Sequence, residues 1–144
     1  MSPPRITVHN RQQKVDVMLA EFQTFAERAV QRCLAIATPR PGVLRDLNEV
    51  DVVLVSDRRM AGLHRRFLDA GGATDVITLD HGEIFISIET AKRQAAEFGT
   101  TTKRELQLYI LHGLLHLHGF DDLQSGDGRR MAAIQDRLLK QLVG

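Results

Sequence analysis

Hydrophobic residues recur at two different spacings along this chain, and the spacing distinguishes predicted helices from predicted strands. Between Val15 and Ile36 apolar side chains return every three or four residues, which predicts a long amphipathic helix packed through one face. Cys33 belongs to that apolar stripe, so we expect a packed thiol rather than a reactive one. The stretch Glu49–Ser56 is instead rich in β-branched residues, which are typical of a buried strand.

The rest of the chain continues these two patterns. Further strands are predicted over Arg5–His9, Thr74–Leu79 and Glu83–Ile88, the last two joined as a hairpin through Asp80, His81 and Gly82. Further helices are predicted from Asp57 to about Leu68, over Glu89–Phe98, from Thr102 to Gly119, and after a polar loop at 124–128. The side chains expected to face the core are Met60, Leu63 and Phe67 in the second helix and Met131, Ile134, Leu138 and Leu142 in the last.

Thr102 and Glu105 have the spacing of a capping box, so the fourth helix is expected to begin there. We see no internal repeat and no second domain. The sequence therefore predicts an α+β fold in one domain over residues 1–144. About four strands would form one mixed sheet covered by about five helices, with a metal site at the end of a buried central helix.

Composition and charge agree with a globular protein of the reducing cytoplasm. Hydrophobic residues make up 43% and charged residues 26% of the chain, and a net charge of +1 gives no general attraction for polyanions. A single cysteine excludes an internal disulfide and a metal site built from several cysteines. We expect neither a signal peptide nor a membrane partner, because no segment approaches the roughly 18 apolar residues of a membrane helix.

Histidines cluster in the apolar segment that ends the fourth predicted helix. His112 and His116 are four residues apart, so they share one helix face with Cβ atoms about 5–6 Å apart. Two imidazoles at that separation can bind one zinc ion, each nitrogen at about 2.0–2.1 Å. His118 lies roughly 200° around the helix from His116, at about 100° per residue, and belongs to another face or to the fraying end of the helix.

Gly119 is placed to end this helix and reverse the chain, since glycine readily adopts the left-handed conformation. Asp121 and Asp122 then follow closely enough to complete the coordination. Three protein ligands leave a position open, which is typical of catalytic rather than structural zinc. The spacing alone leaves open that His112 and His116 are hydrogen-bonded core residues.

The residue after the first histidine excludes one class of metal enzyme. Metalloproteases with an H-E-x-x-H helix use the glutamate beside the first histidine as general base. That position is Gly113 here, so peptide hydrolysis by this route lacks its base. The sequence does not exclude a metal hydrolase that acts on a phosphoester or on an amide by a different route.

The segment from His112 to Asp122, H-G-L-L-H-L-H-G-F-D-D, resembles the signature H-G-x-L-H-L-x-G-[aromatic]-D-H of the YbeY endoribonucleases. Upstream, T-D-V-I-T-L at Thr74–Leu79 and H-G-E-I-F-I-S at His81–Ser87 are similar to two strands of that family. The predicted order of elements also fits along most of the chain.

The resemblance implies a metal-dependent endoribonuclease that cleaves single-stranded RNA. It also implies a role in ribosomal RNA maturation, at the 3′ end of the small-subunit RNA, and in ribosome quality control. The expected partners are therefore single-stranded RNA, ribosomal RNA and the ribosome or ribosomal proteins.

The family's three signature histidines bind a metal usually taken as zinc, and His112 and His116 match two of them. The third falls on Asp122, so the implied site holds two imidazoles and one carboxylate, a set that zinc hydrolases also use. The carboxylate also suits harder ions such as Mn²⁺. Asp121 matches the family's aspartate, and Asp121 and His118 are candidates to orient a ligand. Thr78 stands where the family has serine, and its hydroxyl is expected to face the cleft.

A cation expected from the family is missing. The family's arginine, which is thought to contribute to catalysis, falls on Leu68, and its asparagine falls on His64. A guanidinium would stabilise the negative charge that develops on the phosphoryl oxygens during cleavage. Arg65 and Arg66 are the nearest candidates to replace it. The alternative is that they form a solvated helix face on an RNA- or ribosome-binding factor without catalysis.

Further basic residues are candidates for a local rim that binds RNA phosphates. They are Arg58, Arg59, Lys92, Arg93, Lys103 and Arg104, together with Arg65 and Arg66. Because acidic residues are interspersed, scattered solvated charge is the alternative interpretation.

Overall fold

The computed structural model describes residues 2–67, 76–120 and 127–143, and these ranges contain four strands and five α-helices. The strands are β1 (Arg5–Asn10), β2 (Glu49–Val55), β3 (Val76–Leu79) and β4 (Glu83–Ser87). The helices are α1 (Leu19–Leu34), α2 (Asp57–Phe67), α3 (Ile88–Phe98), α4 (Thr102–His118) and α5 (Asp127–Val143), with a 3-10 turn at Leu44–Asp46. The predicted α+β architecture is confirmed.

The four strands form one mixed sheet in the order β1-β2-β4-β3. β1, β2 and β4 are parallel, so that Val8 lies opposite Val52 and Val52 opposite Ile84. β3 runs antiparallel to β4 through the predicted turn. In that turn Gly82 has a φ of 110° and donates its N–H to the Leu79 carbonyl at 2.9 Å. A positive φ of this kind favours glycine, which has no Cβ.

Successive side chains along the strands project to opposite faces of the sheet, and the helices cover these two faces unequally. The main core joins one face to α1, α4 and α5 through the strand residues Ile6, Val8, Val50, Val52, Leu54, Ile84 and Ile86. On the other face Met60 and Leu63 of α2 pack against Ile77 and Phe85 in a smaller cluster. α2 and α4 therefore cover opposite faces of the sheet.

α4 is the central helix of the main core. Ile110, Leu111, Leu114 and Leu115 are each 0% exposed, and α1, α3 and α5 all pack against the helix. A helix that is apolar around most of its circumference is a core helix, so the predicted buried central helix is confirmed. Neither α4 nor any other helix in the described ranges is long and apolar enough to cross a membrane.

The first helix is shorter than its apolar pattern predicts, beginning at Leu19 rather than Val15. The Gln12 side chain accepts hydrogen bonds from the N–H groups of Lys14 and Val15 at 2.8 and 2.9 Å and donates to the Val15 carbonyl at 2.8 Å. These bonds satisfy the backbone in a turn and compete with helix formation. The predicted packed thiol is confirmed, since Cys33 is fully buried and burial raises its pKa to about 12.

The cap of α4 also differs from the prediction by one residue. Thr101, not Thr102, is the N-cap, and its hydroxyl oxygen accepts the Arg104 N–H at 3.1 Å. Glu105 accepts the Thr100 hydroxyl at 2.9 Å rather than closing a capping box from Thr102. Consecutive threonines offer equivalent caps, so the spacing alone could not choose among them.

Phe67 was predicted to face the core with Met60 and Leu63, and this is wrong. It is 44% exposed because the last turn of α2 extends beyond the small cluster. The guanidinium carbon of Arg66 lies 5.3 Å from the centre of its ring, within the range of a cation–π contact.

A side chain of α1 covers part of the free edge of β1. The Gln23 amide accepts the Val8 N–H at 2.8 Å and donates to the Ile6 carbonyl at 2.8 Å. Exposed strand edges of this kind can pair with another chain. Gln23 occupies two of the backbone groups that such pairing would need.

Candidate metal centre

His112 and His116 lie on successive turns near the carboxyl end of α4. Both are half-buried, whereas their neighbours Leu111, Gly113 and Leu115 are buried. Residues four apart on a helix lie on one face, with Cβ atoms about 5–6 Å apart. The structure thus presents both imidazoles together at the border of the core.

One nitrogen of His112 is engaged by α5. Nδ1 of His112 lies 2.9 Å from Oε1 of Gln135, and both side chains are half-buried. Only Nε2 of His112 is therefore left for a metal ion. Among the described residues neither ring nitrogen of His116 has a hydrogen-bond partner.

Gln135 was not identified from the sequence, although a signal was present. It follows Ile134, one of the residues predicted to face the core, and lies one turn from Met131 and Leu138. A polar residue beside an inward-facing stripe needs a hydrogen-bond partner. That partner proves to be a predicted metal ligand.

α4 ends at Gly119, as predicted. Gly119 has a φ of 115°, and its N–H donates to the His116 carbonyl at 3.1 Å. The Phe120 N–H donates to the Leu115 carbonyl at 3.0 Å, and Phe120 is buried. Such a left-handed cap satisfies the last carbonyls of a helix. The helix therefore ends within one turn of His116.

The segment after α1 holds the same helix end from outside. The Val43 N–H donates to the Leu117 carbonyl at 2.7 Å. A Cβ atom built at Gly42 would lie 2.2 Å from the His118 carbonyl carbon, and one built at Gly119 would lie 2.2 Å from the Arg40 carbonyl oxygen. Two chain segments thus meet backbone to backbone where α4 ends.

His118 faces this segment and not the histidine pair. It is 4% exposed, and its Nε2 donates to the Ile36 carbonyl at 2.8 Å. Burial lowers the pKa of His118, with a further contribution from the charge of Arg45, although the bond to Ile36 opposes the shift. No described contact links its ring to His112 or His116, so its suggested role in orienting a ligand has no support from these contacts.

Gly113 brings α4 close to the sheet. A Cβ atom at Gly113 would lie 2.7 Å from Cγ2 of Ile84, which is fully buried. Thr78 lies opposite Ile84 in the β3–β4 register and is half-buried. Cross-strand partners project to the same face of a sheet, so Thr78 lies on the side of the sheet that α4 covers.

The third predicted ligand, Asp122, lies outside the described residues, as do Asp121, predicted to orient a ligand, and Leu68, at the position of the expected arginine. Within residues 2–67, 76–120 and 127–143, no three His, Cys, Asp or Glu side chains are grouped to hold a metal ion. A metal ion bound by His112 and His116 would therefore need a third ligand from outside these ranges. Two half-buried imidazoles on one helix face fit zinc chemistry, and the role of Asp122 stays a prediction.

Arg65 and Arg66 lie in the last turn of α2, on the face of the sheet opposite to α4. Both are exposed, and Arg66 contacts Phe67 as described above. His64 is half-buried one turn after Met60. The structure does not bring either arginine next to the histidine pair through a described contact.

The other basic residues are distributed over three helices. Lys103 forms an ion pair with Glu21 at 3.4 Å, and Arg93 pairs with Asp57. Both pairs are largely exposed and stabilise little on their own. Each of these two cations is paired with a carboxylate, so they do not support the predicted basic rim.

Asp57 is the centre of a polar network that the sequence did not indicate. It accepts hydrogen bonds from Ser87, Thr90 and Arg93, and its own N–H donates to Glu89 at 2.9 Å. Partial burial raises the pKa of Asp57, but these hydrogen bonds and the Arg93 charge outweigh it and hold the pKa below its ordinary value. The network ties the start of α2 to the start of α3.

An open groove of about 570 Å³ lies on the sheet face that α2 only partly covers. Its lining includes the cations Arg11 and Arg59 and the carboxylates of Asp51 and Glu83. His9 lies 2.8 Å from the Asp51 carboxylate. Because both signs of charge line the groove, it has no clear preference for a polyanion.

Comparison with known proteins gives one family. A family model described as Endoribonuclease YbeY matches residues 7–143. A protein named Endoribonuclease YbeY from Myxococcus xanthus is 38% identical over 104 residues, which cover 63% of this chain and 35% of that protein. Proteins of the same name from Bacteroides fragilis and Heliobacterium modesticaldum are 33% and 28% identical, and the matches cover 65% and 88% of this chain and 72% and 87% of theirs.

The fold is also that of a solved protein. A solution structure from Thermotoga maritima superposes with a TM-score of 0.63 at 21% identity, covering 95% of this chain and 88% of that one. At that identity the likeness establishes the fold alone. The family match, however, runs from β1 to the end of α5, and the chain belongs to the Endoribonuclease YbeY family.

Proposed function

We propose that this protein is a metal-dependent endoribonuclease that cleaves single-stranded RNA. The observation that carries the proposal is the pair His112 and His116, half-buried on one face of α4, with Nδ1 of His112 held by Gln135. The reaction class is supported by family membership, since the relatives are named endoribonucleases.

In this proposal the metal ligands are His112, His116 and Asp122, and the ion is zinc. Mn²⁺ or another divalent ion is the alternative, because a carboxylate ligand suits harder ions. When bound, the ion would supply Lewis-acid chemistry toward a phosphoryl oxygen or water. The protein's own part is to hold two imidazoles at a fixed spacing and to end the helix at Gly119, so that Asp121 and Asp122 follow immediately.

The substrate in this proposal is ribosomal RNA, at the 3′ end of the small-subunit RNA. The protein would act in the cytoplasm with the ribosome or ribosomal proteins, in RNA maturation and ribosome quality control. The support is the resemblance of His112–Asp122 and of the β3–β4 strands to the family signature. The weak global charge of +1 is consistent with recognition through a local surface rather than a general field.

Cleavage of a single-stranded RNA by the full chain tests the proposal. We expect the zinc-loaded protein to cut the RNA, EDTA to abolish cutting and added zinc to restore it. His116→Ala should lose the activity, because one of two described donors is gone. His81→Ala is the matched control, since His81 is an exposed histidine that pairs with Glu83 on the β3–β4 turn. Cutting that persists in EDTA, or equally in H116A, would contradict the proposal.

Measuring the metal content tests the proposed metal site independently of RNA cleavage. We expect about one zinc per chain in the wild type and a clear loss in Asp122→Ala, as for a catalytic site with three protein ligands. Equal zinc in both proteins would remove Asp122 from the ligand set. Zinc binding without RNA cleavage would instead favour the second candidate function.

That second candidate is an RNA- or ribosome-binding factor that has lost catalysis. It is favoured by Leu68 at the position of the family's arginine and by the placement of Arg65 and Arg66 on the opposite face of the sheet. A gel-shift measurement with the same RNA distinguishes the two. Tight binding with no cleavage in zinc supports the binding factor.

A further inference from the structure

The contact between His112 and Gln135 joins two helices at the border of the core. Gln135 projects from α5, which packs on α4 and contributes Leu138 and Leu139 to the main core. Its Oε1 lies 2.9 Å from Nδ1 of His112. Both side chains are half-buried, so water competes with this bond less than it would on an open surface.

The identity of the acceptor decides which nitrogen of His112 carries the proton. An amide oxygen only accepts, so it pairs with a protonated Nδ1. A neutral imidazole with the proton on Nδ1 has its lone pair on Nε2. Since Nδ1 is occupied by Gln135, Nε2 is both the accessible nitrogen and the one able to bind a cation.

We propose that Gln135 is a positioning residue that holds His112 in its Nδ1-protonated tautomer and presents Nε2 to the metal ion. The inference rests on the proposed metal site at His112 and His116. Ligating histidines commonly donate their second ring N–H to an oxygen, and loss of that partner weakens metal binding by about 10–100-fold. Here the oxygen belongs to a neutral amide on a neighbouring helix, so α5 takes part in defining the site.

The tautomer is measured directly on the metal-free full chain by long-range ¹H–¹⁵N NMR of the histidine rings. We expect the His112 proton on Nδ1 in the wild type. In Gln135→Ala the proton is free to move to Nε2, and the spectrum should change accordingly. Gln135→Glu keeps an acceptor oxygen at the same reach and should restore the wild-type pattern.

Zinc affinity, measured by competition with a chelating dye, gives the second readout. Gln135→Ala should weaken zinc binding by about 10–100-fold, and Gln135→Glu should retain it. Gln135→Asn keeps the amide but shortens the side chain by one methylene, so the amide should no longer reach His112. We therefore expect the same weakening of zinc binding as in Gln135→Ala, in a side chain that is still polar. Asp136→Ala, at the exposed neighbouring position, is the control for general effects on α5.

Each outcome decides the question. A wild-type proton on Nε2 overturns the inference, as does a Gln135→Asn protein with unchanged tautomer and zinc affinity. If Gln135→Ala does not fold, Gln135→Asn and Gln135→Glu carry the comparison, because both keep a polar group. If zinc binding and the tautomer respond as expected but RNA is not cut, the proposed endoribonuclease activity fails while the role of Gln135 stands.

Discussion

Gly42 lies against the backbone of His118 with no space between them for a side chain. A Cβ atom at Gly42 would be 2.2 Å from the His118 carbonyl carbon and 2.4 Å from its oxygen. The neighbouring Val43 N–H bonds to the Leu117 carbonyl at 2.7 Å. The end of the helix that carries the histidine pair is therefore held by backbone contacts with a segment about 75 residues earlier in the chain.

Gly42→Ala should destabilise the protein by about 1–3 kcal/mol or more, because the clash is with backbone and cannot be relieved by a rotamer change. Urea unfolding measures the effect. Gly62→Ala is the matched control, since a Cβ atom at Gly62 would meet nothing within 4 Å. Gly62 lies inside α2, so its replacement should stabilise the protein by up to about 1 kcal/mol. Equal effects of the two changes would contradict the close approach at Gly42.

Gly113→Ala should also destabilise the protein, through Ile84. The three closest atoms to the added Cβ are all Ile84 side-chain carbons, at 2.7 to 3.1 Å. Ile84→Ala alone should cost about 2–5 kcal/mol by leaving a cavity. In the double variant the added methyl enters that cavity, so the combined loss should fall short of the sum by about 0.5–3 kcal/mol. Strict additivity in urea unfolding would show that the two residues do not share this contact.

Asp57→Asn should remove a pH-dependent part of the stability. The folded-state pKa of Asp57 is lower than the ordinary 3.8, so the ionised form is favoured by folding. Its contribution is fully present at neutral pH and is lost as pH falls below about 3.8 toward the folded-state pKa. The difference in unfolding free energy between wild type and D57N should therefore shrink as the solution is acidified.

A matched comparison isolates this effect from other carboxyl groups. Asp16→Asn is the control, because Asp16 is exposed and has no described hydrogen bond or ion pair. A difference for Asp57→Asn that stays constant from neutral pH to pH values below 3.8 would contradict the assigned shift.

Leu68→Arg should increase RNA cleavage if the proposed activity is present. The family resemblance implies that a guanidinium at this position would stabilise negative charge on the phosphoryl oxygens, an effect worth about 10²-fold when such a donor is well placed. Leu68→Lys should give a smaller gain, because its ammonium cannot form two parallel hydrogen bonds. Leu68→Met controls for the altered side-chain shape, and a gain in L68M equal to that in L68R would contradict the electrostatic explanation.

The helices and strands could be predicted from the sequence where the burial of apolar side chains determines the conformation. α4, β2 and the β3–β4 hairpin have patterns in which the apolar residues themselves decide the conformation, and the structure contains all three. Phe67 is exposed because α2 extends beyond the small cluster, whereas two other errors arose where a polar side chain competes for the backbone. Gln12 delays the start of α1, and Thr101 caps α4 in place of its neighbour. Periodicity carries no information about such local hydrogen bonds.

The candidate site was predictable only in part for a similar reason. The spacing of His112 and His116 is a property of one helix, so the sequence places them on one face. Gln135 acts across two helices, and its contact depends on how α5 packs on α4. The orientation of His118 toward Ile36 likewise depends on a segment far away in the chain.

The contact between Gly113 and Ile84 also bears on how this fold could change its chemistry over evolution. Replacing Gly113 with glutamate would create an H-E-x-x-H sequence in a single step, yet the new side chain would collide with β4. The helix would have to lift from the sheet and would carry both histidines with it. A smaller residue at position 84 would relieve this collision, so the order of the two mutations affects the cost of reaching that motif. The distance between α4 and the sheet therefore opposes the change from H-G-x-x-H to H-E-x-x-H.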